Sequence, residues 1–392
     1  MTEPSHTPKP LKKLCVLDLS QGIAGPYCGG LFAEYGARVI KVEPPAGDWM
    51  RPLGPGRGGN SASFLYYNRG KHSLALDLKA KGATDIVLEL ASRSDVVIEN
   101  NRPGISDRLG FGFDAVRARQ PRVIYVSVSG LGQTGPDANL PLTDTVAQAR
   151  SGLMSVNRGR ADIPAKIDTT IIDATTGLYA FQAATMALWG DPLQREARHL
   201  DISLLQSAAA IQGPKVMEYG ILGAMPQKLN APAGSFASAD GYLAISLVRE
   251  ADWHAVCRVI GREDYITDPN LGSFALRAPH NHELTEAVEA VFRTASTAHW
   301  IERLQGAGVL VARINDYGDW MEDGQTAATN GAPVLPVTAS DSAPVVRTPG
   351  QVPNGMLCPK IGEHSRAILS EAGLGNEAIE ELIQSGAVKD TG

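Results

Sequence analysis

Short apolar, β-branched runs alternate with helical patterns through the first half of the chain, and this alternation constrains the fold more than any other feature. Residues 14–19 read as a buried strand, 27–35 as a helix and 37–42 as a second strand. Residues 74–76 are short and extended, 83–91 helical, 95–98 a strand, and 123–129 a β-rich run ending in Gly130. Alternation of this kind predicts an α/β fold, a mostly parallel sheet with helices on both faces. Ligands of such sheets sit beyond the carboxyl ends of the strands. The loop Gly22-Ile23-Ala24-Gly25-Pro26, with Glu43 ending the second strand, therefore has a superficial dinucleotide-binding look. Its spacing is not GxGxxG, and Pro26 removes an N–H that a phosphate would use.

Residues 226–241 are rich in Ala, Gly, Ser and Pro and read as a domain crossover. Beyond it, a strand over 242–247 and helices over 250–260, 282–295 and 298–307 read as a smaller α+β domain. The chain ends in two helical patterns, 364–372 and 377–385. The expected division is a polar, proline-rich tail over 1–10, a large domain over 11–226 to which 332–392 return, and a small domain over 227–331. Neither a targeting pattern nor an apolar run of membrane-spanning length is present.

A net charge of −6 argues against nucleic acid or a membrane surface as a general partner, while leaving room for a local basic pocket. Cys15, Cys28, Cys257 and Cys358 are scattered without a CxxC pair, as expected of reduced thiols in a cytoplasmic protein. The eight histidines form no HExxH, and no metal site is expected.

Asp173 is the leading catalytic candidate. A β-branched stretch, 169–172, stops at this carboxylate, and a helical pattern of Leu178, Phe181, Thr185 and Leu188 follows, ending at Gly190 with Pro192 beyond. The expected position is the mouth of a helix, where N–H groups and the macrodipole keep an aspartate ionised. An ionised carboxylate can act as a nucleophile, although a plain helix cap has the same signature. Three turns upstream carry anion-binding candidates: Arg69, Gly70, Lys71 and His72; Asn100, Asn101 and Arg102; and Arg108. Each alone reads as a solvated turn, but together they follow strand ends, where arginine can fork onto phosphate.

The ordered segments Val39-Ile40-Lys41-Val42-Glu43-Pro44-Pro45, Asn68 through Lys79, Asn100 through Gly104 and Asp107 through Gly110 carry a resemblance. It continues through Ser129-Gly130 with Gly132, Val146-Ala147-Gln148-Ala149, Ile172-Asp173 with Gly177-Leu178-Tyr179-Ala180, and Gly362-Glu363-His364. From about residue 11 to the C-terminus the chain resembles the family III CoA-transferases, which include formyl-CoA transferase and carnitine CoA-transferase. The resemblance implies a Rossmann-like large domain built from both chain ends, a smaller α+β domain, and an interlocked, ring-like homodimer. It implies an acyl-CoA donor, a carboxylic acid acceptor and coenzyme A as substrate, with no tightly bound cofactor. Asp173 matches the family nucleophile, which carries CoA as an aspartyl thioester. Ala24, Arg69 to His72, Asn100 to Arg102 and Arg108 match positions that contact CoA.

Departures from the formyl-CoA transferase pattern argue against formate–oxalate exchange. Ile23-Ala24 replaces a Gln–Ala pair, Pro44 replaces a basic residue, and residues 230–236 are bulkier than a glycine-rich loop. The resemblance extends to α-methylacyl-CoA racemases, where a Gly-His-Asp triplet stands at Leu142-Thr143-Asp144. Threonine cannot be the general base that a carbon acid needs. Transfer is therefore the preferred reading over racemisation.

Overall fold

A computed structural model describes residues 9–158, 163–190, 194–225, 230–352 and 355–392. The first eight tail residues and Pro192 lie outside the described residues. The chain divides into two compact units, one of Met1–Gly213 with Ala332–Gly392 and one of Pro214–Gly331. The helix Gly213–Leu222 thus goes almost wholly with the second unit, and the boundary expected at residues 226 and 227 lies outside the described residues.

Seven strands of the first unit form one sheet, in the spatial order Val388–Lys389, His72–Leu76, Arg38–Glu43, Cys15–Asp18, Val96–Glu99, Ile124–Ser129, Arg198–Ser203. The six strands from Cys15 to Ser203 are mutually parallel and stand in the order 3-2-1-4-5-6 of the doubly wound Rossmann arrangement. Only Val388–Lys389 runs antiparallel, at the edge beside His72–Leu76. The central strands are buried along their whole length because helices cover both faces. On one face the helix Ala83–Ser92 and the C-terminal helices Ser365–Glu371 and Asn376–Gln384 bury Ile86, Leu90, Ile368, Leu369 and Ile379. On the other, the helices Ala24–Glu34 and Ile171–Leu188 bury Cys28, Phe32, Ile172, Ala180 and Ala184. The expected α/β architecture with a predominantly parallel sheet is the one observed.

The second unit holds a three-stranded antiparallel sheet, Leu310–Arg313, Tyr242–Ser246 and Gly234–Ala237. Phe236, Leu243 and Ile245 pack there with Trp253, Val256, Phe292, Trp300 and Leu304. The Gly234–Ala237 strand falls inside the stretch read from sequence as crossover, so the Ala/Gly/Ser composition concealed a strand. All four cysteines are free thiols. No helix among the described residues is long and apolar enough to cross a membrane.

Candidate active site

The helix carrying Asp173 begins earlier than its β-branched start suggests. Ile171 and Ile172 are already helical, Thr170 occupies the cap position without a side-chain capping bond, and Asp173 is the third helical residue. The cap comes instead from Asp144, at the start of the helix Asp144–Arg150. One oxygen of the buried Asp144 carboxylate accepts the Ile172 N–H at 2.7 Å and the Asp173 N–H at 3.1 Å. Its other oxygen accepts from Gln148 Nε2 at 2.6 Å. Gln148, one turn on, also clasps the backbone of Ile167, accepting its N–H at 2.8 Å and donating to its carbonyl at 3.1 Å.

The orphan N–H groups of the first turn are thereby taken by a neighbour. The Asp173 carboxyl makes no hydrogen bond among the described residues. Burial, and then the negative charge of Asp144, push it up to about 7. This corrects the expectation that the helix mouth keeps Asp173 ionised. The macrodipole remains, but desolvation and a like charge outweigh it. Tyr67 stands near both carboxylates and shares a hydrogen bond with Thr170, and burial raises its phenol, so the ring carries a neutral O–H. Gly177, one turn beyond Asp173, lets the helix lie against Ala24–Glu34. A β-carbon there would sit 2.8 Å from the Ala24 carbonyl oxygen and 2.9 Å from the Tyr27 β-carbon.

The sheet changes winding direction between Cys15–Asp18 and Val96–Glu99, and a polar cleft of about 470 Å³ opens there. Gln21, Trp49, Asn100, Asn101, Arg102 and the Ser129-Gly130 corner line it, with Leu140 to Leu142 opposite. Asn100 ties the two loops together, accepting the Gln21 N–H at 2.9 Å and donating to the Gln21 carbonyl at 2.6 Å. Asn101 donates its N–H to Glu99 and its side-chain amide to Ser106, which holds the Arg102 turn open. Arg102 and Arg108 are exposed, and neither guanidinium makes an ion pair or hydrogen bond among the described residues. Leu142 of the cleft wall leads within two residues to Asp144, so the wall and the support of Asp173 are one segment.

The Arg69–His72 turn is built differently. Arg69 pairs with Glu34 at 3.0 Å, with both side chains buried. Gly70 has φ +76, and a β-carbon there would meet the Met356 sulfur at 2.6 Å. Lys71 Nζ is fully buried and uses its three donors on Asp18 (2.8 Å), the Pro26 carbonyl (2.7 Å) and Asn68 (2.9 Å). His72 opens a strand and packs edge-on against His364, centroids 4.7 Å apart. Ala24 is buried in the first turn of its helix. In this chain the charges of Arg69 and Lys71 are neutralised inside the protein, so neither is presented to an anion. Glu43 is likewise occupied: Arg51 donates to both its oxygens, at 2.6 and 2.7 Å, and Ser73 donates at 2.6 Å. That weighs against the dinucleotide-binding look its strand-end position gave.

Sequence reading missed Asp144 as the cap, Tyr67 as neighbour and Trp49 as a cleft wall. Asp144 and Gln148 at i and i+4 on one helix carried the available signal.

The match to a family model described as "CoA-transferase family III" runs over residues 11–365. The chain is 34% identical to acetyl-CoA:oxalate CoA-transferase from Acetobacter aceti, over 84% of this chain and 87% of that one. It is 31% identical to succinyl-CoA:glutarate CoA-transferase from Mus musculus, over 97% and 91% respectively. A crystal structure of a CAIB/BAIF family protein from Brucella suis superposes with a TM-score of 0.82 at 28% identity, covering 93% of this chain and 99% of that one. With a family match across almost the whole chain and a doubly wound sheet bearing its cleft at the winding reversal, the chain belongs to the CoA-transferase family III.

Proposed function

We propose that this chain moves coenzyme A from an acyl-CoA donor to a free carboxylic acid through covalent intermediates on Asp173. The observation that carries the reading is the Asp173 carboxyl itself, which is partly buried, free of hydrogen bonds among the described residues and pushed up to about 7. Once ionised, such a carboxylate is more basic and less hydrated than an ordinary one, and so a better nucleophile. An Asp173 oxygen attacks the thioester carbonyl, the C–S bond breaks, and CoA thiolate leaves a mixed anhydride. The thiolate attacks the Asp173 acyl carbon, expelling the donor acid as its carboxylate and leaving an aspartyl thioester. The acceptor carboxylate attacks that thioester and releases the thiolate. The thiolate then takes the acceptor acyl group and returns Asp173 as carboxylate.

In this scheme the exposed Arg102 and Arg108 receive CoA phosphates by charge-assisted hydrogen bonds. Asn100, Asn101 and Ala24 shape the wall with backbone and amide groups. Arg69, Gly70, Lys71 and His72 act mainly by tying the helix Ala24–Glu34 to the sheet. The relatives' acids, oxalate and glutarate, make dicarboxylic acids the first acceptors to try. The working form is a cytoplasmic, interlocked homodimer. A second copy would cover the helix Gly213–Leu222, which has no buried residue and exposes Met217 and Ile221 at 68% and 77%. The test is a matrix of acyl-CoA donors against mono- and dicarboxylic acids, read by mass spectrometry for new CoA esters. Hydrolysis alone, with no new ester from any acid, overturns transfer.

A second reading draws on the same near-neutral Asp173, because a base that removes the α-proton of a 2-methylacyl-CoA needs such a group. Thr143, standing where racemases carry histidine, offers no second acid–base group and weighs against it.

A further inference from the structure

Asp144 and Asp173 meet at the first turn of one helix with unequal partners. Asp144 accepts three N–H donors, from Ile172, Asp173 and Gln148, whereas the Asp173 carboxyl accepts none among the described residues. We propose that Asp144 is a positioning residue that biases Asp173 toward its acylated states, by fixing the first helical turn and holding a negative charge against the nucleophile. The proposal rests on the reading of Asp173 as nucleophile. The charge on Asp173 is opposed by Asp144 as long as Asp173 is a free carboxylate. In the mixed anhydride that oxygen is bonded to the donor acyl carbon and the charge has left on the thiolate. In the aspartyl thioester the oxygen has been replaced by sulfur and the charge has left on the donor carboxylate. Each covalent state is therefore relieved of a repulsion that the resting enzyme carries.

The other groups around Asp173 do not supply this bias. Tyr67 from the helix Ala62–Asn68 is a neutral phenol held to Thr170. Tyr27, packed across Gly177 from the helix Ala24–Glu34, is also kept neutral by burial. Lys166 and Asp168, in the segment before the helix, are exposed and paired with each other at 2.8 Å, and Lys166 acts on Asp144 rather than Asp173. Among the described residues, burial and then Asp144 are what raise the Asp173 carboxyl.

The test separates the charge from the cap. Asp144→Asn is neutral and retains an oxygen for the helix N–H groups, whereas Asp144→Ser is neutral but one bond too short to reach them. The wild-type acid limb of kcat/KM for the acyl-CoA should lie near pH 7, the value toward which Asp173 is pushed. In the neutral variants it should move down by about one pH unit or more, and Asp144→Glu should restore it. The ratio of acylated to free Asp173 at a fixed acyl-CoA to CoA ratio, read by peptide mass, should fall about tenfold in the neutral variants. A purely structural role would lower kcat at every pH and leave the limb in place. An adduct at Asp173 with an unmoved limb in a folded neutral variant refutes this proposal alone. No adduct at Asp173 in the wild type refutes the nucleophile reading and this proposal with it.

Discussion

Asp173→Asn should stabilise the protein at alkaline pH while abolishing transfer. In the folded chain the Asp173 carboxyl is raised from 3.8 to about 7. A raised carboxyl binds its proton more tightly folded than unfolded, so wild-type stability falls as pH rises from about 4 to about 7 and is flat above. Asparagine has the same shape, is neutral throughout, and escapes that loss. With 1.36 kcal/mol per unit, the full difference approaches about 4 kcal/mol, an upper bound because part of the side chain reaches solvent. Between about pH 5.5 and pH 8 the advantage of the variant should grow by about 2 kcal/mol. Urea unfolding of both proteins, followed by circular dichroism at the two pH values, gives the difference. The cap is unaffected, because it belongs to Asp144. A variant whose stability relative to wild type is the same at both pH values would show that Asp173 is not held near neutrality, and the electrostatic account of the site would fail.

Arg102→Ala and Arg108→Ala should each raise KM for the CoA ester by roughly 10- to 150-fold, the loss of a charge-assisted bond of about 1.5–3 kcal/mol, with KM for the acid nearly unchanged. Normal CoA-ester binding by both variants would place the phosphates elsewhere. Lys71→Met should instead cost about 3–5 kcal/mol of stability, because it leaves Asp18 buried without its partner, and should hardly alter KM in the folded fraction. A stable Lys71→Met protein with a raised KM would return Lys71 to the ligand site. Incubating a 2-methylacyl-CoA in D₂O should give no enzyme-dependent deuterium at C2, and rapid wash-in would favour the racemase reading.

The parallel sheet was legible because its central strands are short runs rich in Val and Ile, and helices such as Glu250–Ile260 were legible by their period. The strand Gly234–Ala237 was hidden by small residues that pack well between neighbours but carry no β signal. The ion cluster was misread for a physical reason. Arg69 and Lys71 look like anion ligands near strand ends, yet Glu34 and Asp18 lie within hydrogen-bonding distance and neutralise them. Sequence supplies the charges but not the pairing, because the partners lie up to 53 residues apart. Asp173 was found by its place before a helical pattern. Its charge state was misjudged because burial, and then the negative charge of Asp144, 29 residues earlier, outweigh the helix dipole.

The central claim is that Asp173 carries the transferred CoA as a covalent thioester. Wild-type enzyme mixed with an acyl-CoA and then treated with hydroxylamine or borohydride should be modified at the Asp173 peptide and lose activity, and only when the CoA ester is present. Peptide mass mapping reads the site directly, where steady-state kinetics can be obscured by an acid that binds before CoA leaves. Modification of Asp173 that depends on the acyl-CoA is the predicted result. An unmodified Asp173 peptide from enzyme still turning over, or an Asp173→Asn variant with near-normal turnover, would contradict it.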